Sequence, residues 1–184
     1  MPRPFNALYT QTLAHLRHHD CGTYPFRDGE SLITRVAELQ PRRILELGTA
    51  LGYTACCFAS AAPQALIDTC EMDQSHVALA RENLARHDFA SRVTVHHGKF
   101  ENMLPHFGTG YDLAFFDGFA PDLQVLTEIF KRIRVGGVLM CANLGLSEPM
   151  ARKHIEIEIQ SLSHWKIQPP LENGGTLVAE KCVA

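Results

Sequence analysis

The chain has no apolar run approaching the ~20 residues that a membrane-spanning helix needs. Nothing near its N-terminus joins a basic cluster to an apolar core as a secretory leader does. The expected compartment is therefore the cytoplasm, with no membrane partner. C-x-x-C pairs are absent too. The six cysteines (Cys21, Cys56, Cys57, Cys70, Cys141 and Cys182) sit mostly in apolar runs, which predicts buried free thiols in a reducing environment. Positive charge is not in excess: 17 Lys and Arg stand against 20 Asp and Glu, for a formal net charge of -3. That balance supplies no general attraction to nucleic acid or anionic lipid. No repeat, low-complexity tract or linker divides the 184 residues, so residues 1–184 are read as one domain.

What the sequence has is alternation. Short apolar runs stand at residues 43–47, 66–70, 93–96 and 113–116, each leading into Gly, Asp or Glu. A fifth run at 138–142 follows Gly136-Gly137, read as a turn. Helical segments lie between them. Residues 52–60 are small and apolar, as in a helix packed tightly on a sheet. Residues 74–87 and 122–132 carry an apolar stripe at helical spacing, with Val77, Leu84, Leu126 and Ile129 among its members. This order predicts a parallel sheet with helices on both faces. Residues 148–161 read as a further helix. Strands at 164–167 and 176–180, joined by a linker at 168–175 with Pro169-Pro170 and Asn173-Gly174-Gly175, predict a closing antiparallel hairpin. The fold class expected is α/β, a doubly wound and mostly parallel seven-stranded sheet.

The strongest local signal is Ile44-Leu45-Glu46-Leu47-Gly48-Thr49-Ala50-Leu51-Gly52-Tyr53-Thr54. A strand enters a glycine turn and leaves as a helix, so a ligand can approach backbone without meeting a Cβ. The spacing is G-x-x-x-G, not the G-x-G-x-x-G of pyrophosphate binders. A zwitterionic amino-acid tail needs less of an anion cradle than a diphosphate does. Glu46, on the last turn of the strand, is placed to hold the loop or an ammonium group. About twenty residues on, Asp68-Thr69-Cys70-Glu71-Met72-Asp73 puts carboxylates at the tip of the second strand, where one can accept both hydroxyls of a ribose.

Taken in order, these motifs resemble class I S-adenosylmethionine-dependent methyltransferases, and most closely the small O-methyltransferases related to catechol and caffeoyl-CoA methyltransferases. The resemblance spans residues 23–181. It implies S-adenosylmethionine as cofactor, S-adenosylhomocysteine as product, a small-molecule acceptor and a homodimer. Residues 1–40 would form a helical cap, with Thr23 and Tyr24 closing over the methionine end. Gly48, Gly52, Tyr53 and Thr54 would hold the methionine portion, Glu71 the ribose and Met72 the adenine face. Gly98, Lys99, Phe100 and Glu101 match the loop along the adenine edge.

At the catalytic end the chain departs from the family pattern. Metal-dependent members bind Mg²⁺ through an Asp ending the fourth strand and an Asp-Asn pair ending the fifth. Asp117 and Asn143 match the outer two, but the middle position is Ala142, and the family's lysine base is Ala120. The resemblance therefore implies transfer without a divalent metal, with Asp117 orienting or deprotonating the acceptor and Asn143 assisting it. His96-His97 and Glu148 offer donors for a rebuilt metal site, but adjacent histidines on a strand face opposite sides. His19 and Asp122 are further candidates at the mouth of the acceptor site. Three other readings compete. Phe116-Asp117-Gly118-Phe119-Ala120-Pro121 also resembles the fourth-strand motif of tRNA wobble-uridine amine methyltransferases, although no basic arm accompanies it. The lost metal and base positions suit a non-catalytic cofactor-binding or partner module. A nicotinamide oxidoreductase would share the architecture but wants the tighter glycine pattern.

Overall fold

A strand whose side chains are apolar on both faces has to be covered on both faces. Ile44, Leu45 and Leu47 are all buried to 1% exposure or less, and so are Leu113, Ala114 and Phe115 on a neighbouring strand. The computed structural model describes residues 3–19, 25–121, 123–147, 149, 150, 153, 155, 157, 159 and 164–183. The strands are β1 (Arg43–Leu47), β2 (Leu66–Glu71), β3 (Val93–His97), β4 (Tyr111–Phe116), β5 (Ile133–Cys141), β6 (Trp165–Leu171) and β7 (Thr176–Lys181). They form one seven-stranded sheet in the order β3-β2-β1-β4-β5-β7-β6. β1 to β5 are parallel, and β7 runs antiparallel to both β5 and β6. Fold class and closing hairpin are as the sequence implies.

The helices are α1 (Asn6–His19), α2 (Gly29–Leu39), α3 (Tyr53–Ala61), α4 (Gln74–Arg86), α5 (Phe100–Met103) and α6 (Leu123–Arg132). Alternate strand residues divide the core in two. On one face Ile44, Leu113, Phe115 and Met140 pack with Leu32 and Val36 of α2, the buried side of α3, and Val77, Ala80 and Leu84 of α4. On the other, Leu45, Leu47, Phe116 and Leu139 pack with Val125, Leu126 and Ile129 of α6 and with Ile155 and Ile159. α3 needs small side chains because nearly all of it is buried, Cys56 and Cys57 included. α2 starts where the Asp28 carboxylate accepts the Ser31 N–H at 3.1 Å, an N-cap interaction. α4 starts on Asp73, which accepts from Ser75 and His76. No described helix is long and apolar enough to cross a membrane.

Two boundaries differ from the sequence reading. β5 begins at Ile133, so Gly136-Gly137 lies inside the strand instead of before it. The pairing with β4 skips from Tyr111↔Ile133 to Leu113↔Val138, and Gly136 takes φ +75° within that irregularity. The glycines make a bulge. β6 likewise runs through Pro169-Pro170 to Leu171, where a linker was expected. It is an edge strand, so prolines cost it no ladder bond on the open side, and the register shifts between Gln168 and Leu171.

Chain order reverses between β1 and β4, which are neighbours although β2 and β3 follow β1 in sequence. In open parallel sheets ligands bind at the carboxyl ends of the strands at such a switch point. The glycine turn after β1 and Asp117 after β4 both stand there.

Candidate functional site

The turn after β1 requires glycine at its first position. Gly48 has φ +108°, and a Cβ there would lie 2.3 Å from the carbonyl oxygen of Asp117. Below the turn, Glu46 is buried completely. It accepts a short hydrogen bond from the Thr54 hydroxyl and another from Thr69 Oγ1 at 2.5 Å. Burial raises its carboxyl to about 7 against the pull of those hydroxyls, with the charge of Glu71 adding to the rise. Glu46 thus ties the end of β1 to the start of α3 and to β2.

Glu71, ending β2, is anchored from three directions. Oε2 accepts the backbone N–H of Ala50 at 2.9 Å, and Oε1 accepts that of Asp73 at 2.9 Å. His76 Nδ1 stands 3.8 Å from Oε1. Burial pushes this carboxyl up, but the bonds from His76, Asp73 and Ala50 outweigh it and hold the group below its ordinary value. The same pairing raises His76. Glu71 is therefore an ionised carboxylate with a fixed orientation at the mouth of a cavity.

That cavity has a volume of about 460 Å³. Of the site residues expected from the sequence, Gly48, Tyr53, Thr54, Glu71, Met72, Lys99, Phe100, Glu101 and Asp117 line it. Glu46, Gly52, Gly98 and Asn143 are not among the lining residues. Glu46 lies under the turn and Gly52 caps α3. The N–H of Gly98 donates to the carbonyl of Glu71 at 2.9 Å, and Asn143 is only 6% exposed behind Asp117. Thr23 and Tyr24 lie outside the described residues, as do Asp122 and Glu148. Thr12 and Leu16 of α1, and His76 of α4, complete the wall. Motif reading did not find them. Their only trace in the sequence was a Thr and a Leu four apart on one helix face.

At the far end of the cavity Asp117 follows β4. Asn143, at φ +62°, donates its amide nitrogen to Asp117 Oδ1 at 2.9 Å and to the carbonyl of Gly118 at 2.6 Å. Burial drives the Asp117 carboxyl well above its ordinary value. The charges of Glu46 and then Glu172 add to this, and the Asn143 bond opposes it. Sequence reasoning did not place Glu172, in the turn between β6 and β7, near this site. Ala142 is fully buried and packs in the apolar core with Phe26 and Phe115. The donor set does not fit the three-ligand divalent centre: its middle position offers a methyl group, and its outer members are bonded to each other. His96 pairs with Asp68 at 2.8 Å while His97 reaches the carbonyl of Met72 at 3.0 Å. Among the described residues, no three His, Cys, Asp or Glu side chains are grouped to hold a metal ion.

A family model described as a methyltransferase domain matches residues 45–144. The catechol O-methyltransferase of Niastella koreensis is 33% identical over 109 residues, covering 56% of this chain and 49% of that protein. The tRNA1(Val) (adenine(37)-N6)-methyltransferase of Aeromonas salmonicida is 28% identical over 109 residues, covering 59% of this chain and 45% of that protein. The chain spans about half the length of these curated relatives. Among solved structures, the O-methyltransferase TomG from Streptomyces achromogenes, in complex with SAM, superposes with a TM-score of 0.84 at 22% identity. The match covers 100% of this chain and 93% of that one. At that identity the likeness is one of fold.

Proposed function

The chain belongs to the methyltransferase domain family, and we propose that it transfers a methyl group from S-adenosylmethionine to a small-molecule acceptor, most simply to oxygen, without a divalent metal. The observation that carries this reading is the fixed carboxylate of Glu71 beside the Gly48 turn. Its Oε2 holds one backbone N–H, that of Ala50, and keeps a lone pair for a ribose hydroxyl, while Oε1 is held by the Asp73 N–H and faces His76. The Gly48 turn leaves backbone open to the methionine portion, exposed Met72 offers an apolar face to the adenine, and Lys99, Phe100 and Glu101 border it. The residues present therefore fit this cofactor.

When bound, the cofactor supplies a methyl group already activated on a sulfonium, so the protein has to align and desolvate the acceptor. Asp117, in its ionised form, would take the proton the acceptor gives up as its bond to the methyl carbon forms and the sulfonium sulfur is left as a neutral thioether. Asn143 would hold that carboxylate in one orientation, and Phe26, buried on the cavity wall, would exclude water there. The pairing of Asn143 with Asp117 and the methyl group of Ala142 support a metal-free reaction.

Methylation of a nucleic-acid nitrogen is a second reading, supported by the match to the Aeromonas salmonicida enzyme. It is the weaker one, because Glu71, Asp73, Glu101 and Asp117 set four carboxylates around the cavity that a polyanion would have to approach. Calorimetric titration with S-adenosylhomocysteine, in excess Mg²⁺ and again in EDTA, tests the proposal. Equal binding in both supports it. Binding strengthened by Mg²⁺ overturns the metal-free reaction, and no binding in either overturns the cofactor.

A further inference from the structure

The chain passes from β6 to β7 through residues 172–175, and the first residue of this turn is conformationally out of place. Glu172 has φ +49° and Asn173 φ +54°, followed by Gly174 at φ +95°. Asparagine and glycine tolerate left-handed backbone, whereas a longer side chain adopts it at a cost and keeps it only where its surroundings hold it. What holds Glu172 is its carboxylate. Oε2 accepts from the hydroxyl of Thr176 at 2.9 Å. Thr176 is fully buried, which fixes the rotamer against the first residue of β7. Oε1 accepts the backbone N–H of Arg27 at 2.9 Å, from a residue 145 positions earlier in the chain.

Arg27 stands in a segment that depends on such contacts. Residues 25–28 belong to no helix or strand, so side chains from elsewhere have to anchor their backbone. Pro25 and Phe26 line the cavity. Phe26 is 1% exposed and meets Phe115 edge to face at 5.3 Å, and Asp28 caps α2. The guanidinium of Arg3 donates to the carbonyl oxygen of Arg27. Arg27 is thus gripped at its N–H by the antiparallel end of the sheet and at its C=O by the N-terminal segment.

We infer that Glu172 is a positioning residue of the cofactor cavity: its carboxylate latches the wall at residues 25–28 to the β6–β7 turn and slows release of the cofactor. The inference rests on the reading of the cavity as an S-adenosylmethionine site. Glu172 acts through Arg27 and Phe26, so its role is one of reach and hydrogen bonding. Glutamine preserves both, since its amide oxygen accepts from Arg27 and its amide nitrogen donates to Thr176. Alanine preserves neither.

Two measurements on E172A and E172Q test this: hydrogen exchange at the Arg27 amide of the ligand-free protein, and the rate at which S-adenosylhomocysteine leaves. In E172A both are expected to rise about three- to tenfold, as loss of one hydrogen bond implies. E172Q is expected to restore both. Wild-type values in E172A overturn the inference, as does an E172Q that behaves like E172A. Faster Arg27 exchange with unchanged ligand release overturns it also, because the latch would then not act on the cavity. Should E172A fail to fold, E172D, one methylene shorter, takes its place with the same expectation. Failure of the wild-type protein to bind S-adenosylhomocysteine overturns the reading of the cavity itself. The Arg27 measurement still reports whether the latch exists.

Discussion

The side-chain amide of Asn143 donates to Oδ1 of Asp117 across 2.9 Å, and the same nitrogen reaches the carbonyl of Gly118 at 2.6 Å. Both N–H bonds of that amide are therefore committed to fixing the end of β4. Burial, with the charges of Glu46 and Glu172, keeps the Asp117 carboxyl well above the ordinary carboxylate range, and the bond from neutral Asn143 only partly opposes this. The left-handed backbone at Asn143 aims the amide across to the neighbouring strand.

Replacing Asn143 with alanine removes both bonds and leaves the Gly118 carbonyl without this donor. A stability loss of about 1–3 kcal/mol is expected, read by urea unfolding. Turnover should fall at least about tenfold, roughly 1.4 kcal/mol. Affinity for S-adenosylhomocysteine should stay within a few-fold of wild type. Equal turnover in both proteins would remove Asn143 from the site.

Gly48→Ala forces a Cβ against the Asp117 carbonyl at 2.3 Å and demands φ +108° of an L-residue. The backbone penalty alone is roughly 1–2 kcal/mol, and the turn has to move to relieve the clash. A lower melting temperature and at least about tenfold weaker cofactor binding are expected. Calorimetry measures both.

Glu71→Ala takes a carboxylate from the Ala50 and Asp73 amides and, on the proposed function, from the ribose of the cofactor. Affinity for S-adenosylhomocysteine should drop by about ten- to a hundredfold, as expected for charge-assisted bonds. Glu71→Gln, which keeps one acceptor oxygen, should fall between. Titration of the three proteins side by side decides it, and unchanged binding by the alanine variant would remove Glu71 from the cofactor site.

Glu46 gives a pH signature. Its folded-state carboxyl titrates at about 7, against 4.5 for a free glutamate. Between those values the folded protein holds a proton that the unfolded chain has released. This group's contribution to stability therefore falls as pH rises from 4.5 to about 7 and is flat above. Glu46→Gln removes that fall. Relative to wild type it should gain stability between pH 5 and pH 8, by an amount on the order of a few kcal/mol at most. Parallel unfolding curves at the two pH values would contradict the buried, protonated carboxyl.

Much of the architecture was legible because the strands are apolar on both faces and end in residues of a different kind. Ile44 and Leu45 face opposite cores, and only a doubly covered sheet buries both. The Gly48 turn and Glu71 were legible because their chemistry is local. Three things were not. Gly136-Gly137 reads as a turn because glycine pairs usually are turns, and only the pairing with Tyr111 and Leu113 shows a bulge. Thr12 and Leu16 reach the cavity because α1 lies across it, and His76 because α4 starts beside Glu71, and no short-range pattern encodes either placement. The bond from Arg27 to Glu172 joins residues 145 apart, beyond any spacing rule.

Pro169 and Pro170 sit near the C-terminal end of β6, at one margin of the sheet. A margin normally offers a row of donors and acceptors along which a foreign strand can zip. Of these two successive residues without N–H groups, one removes a donor from that row, and the register skip between Gln168 and Leu171 bends it. On that flank an added strand would meet a broken ladder, which disfavours growth by strand addition. Side chains such as the exposed Ile167 then carry more of any contact made there.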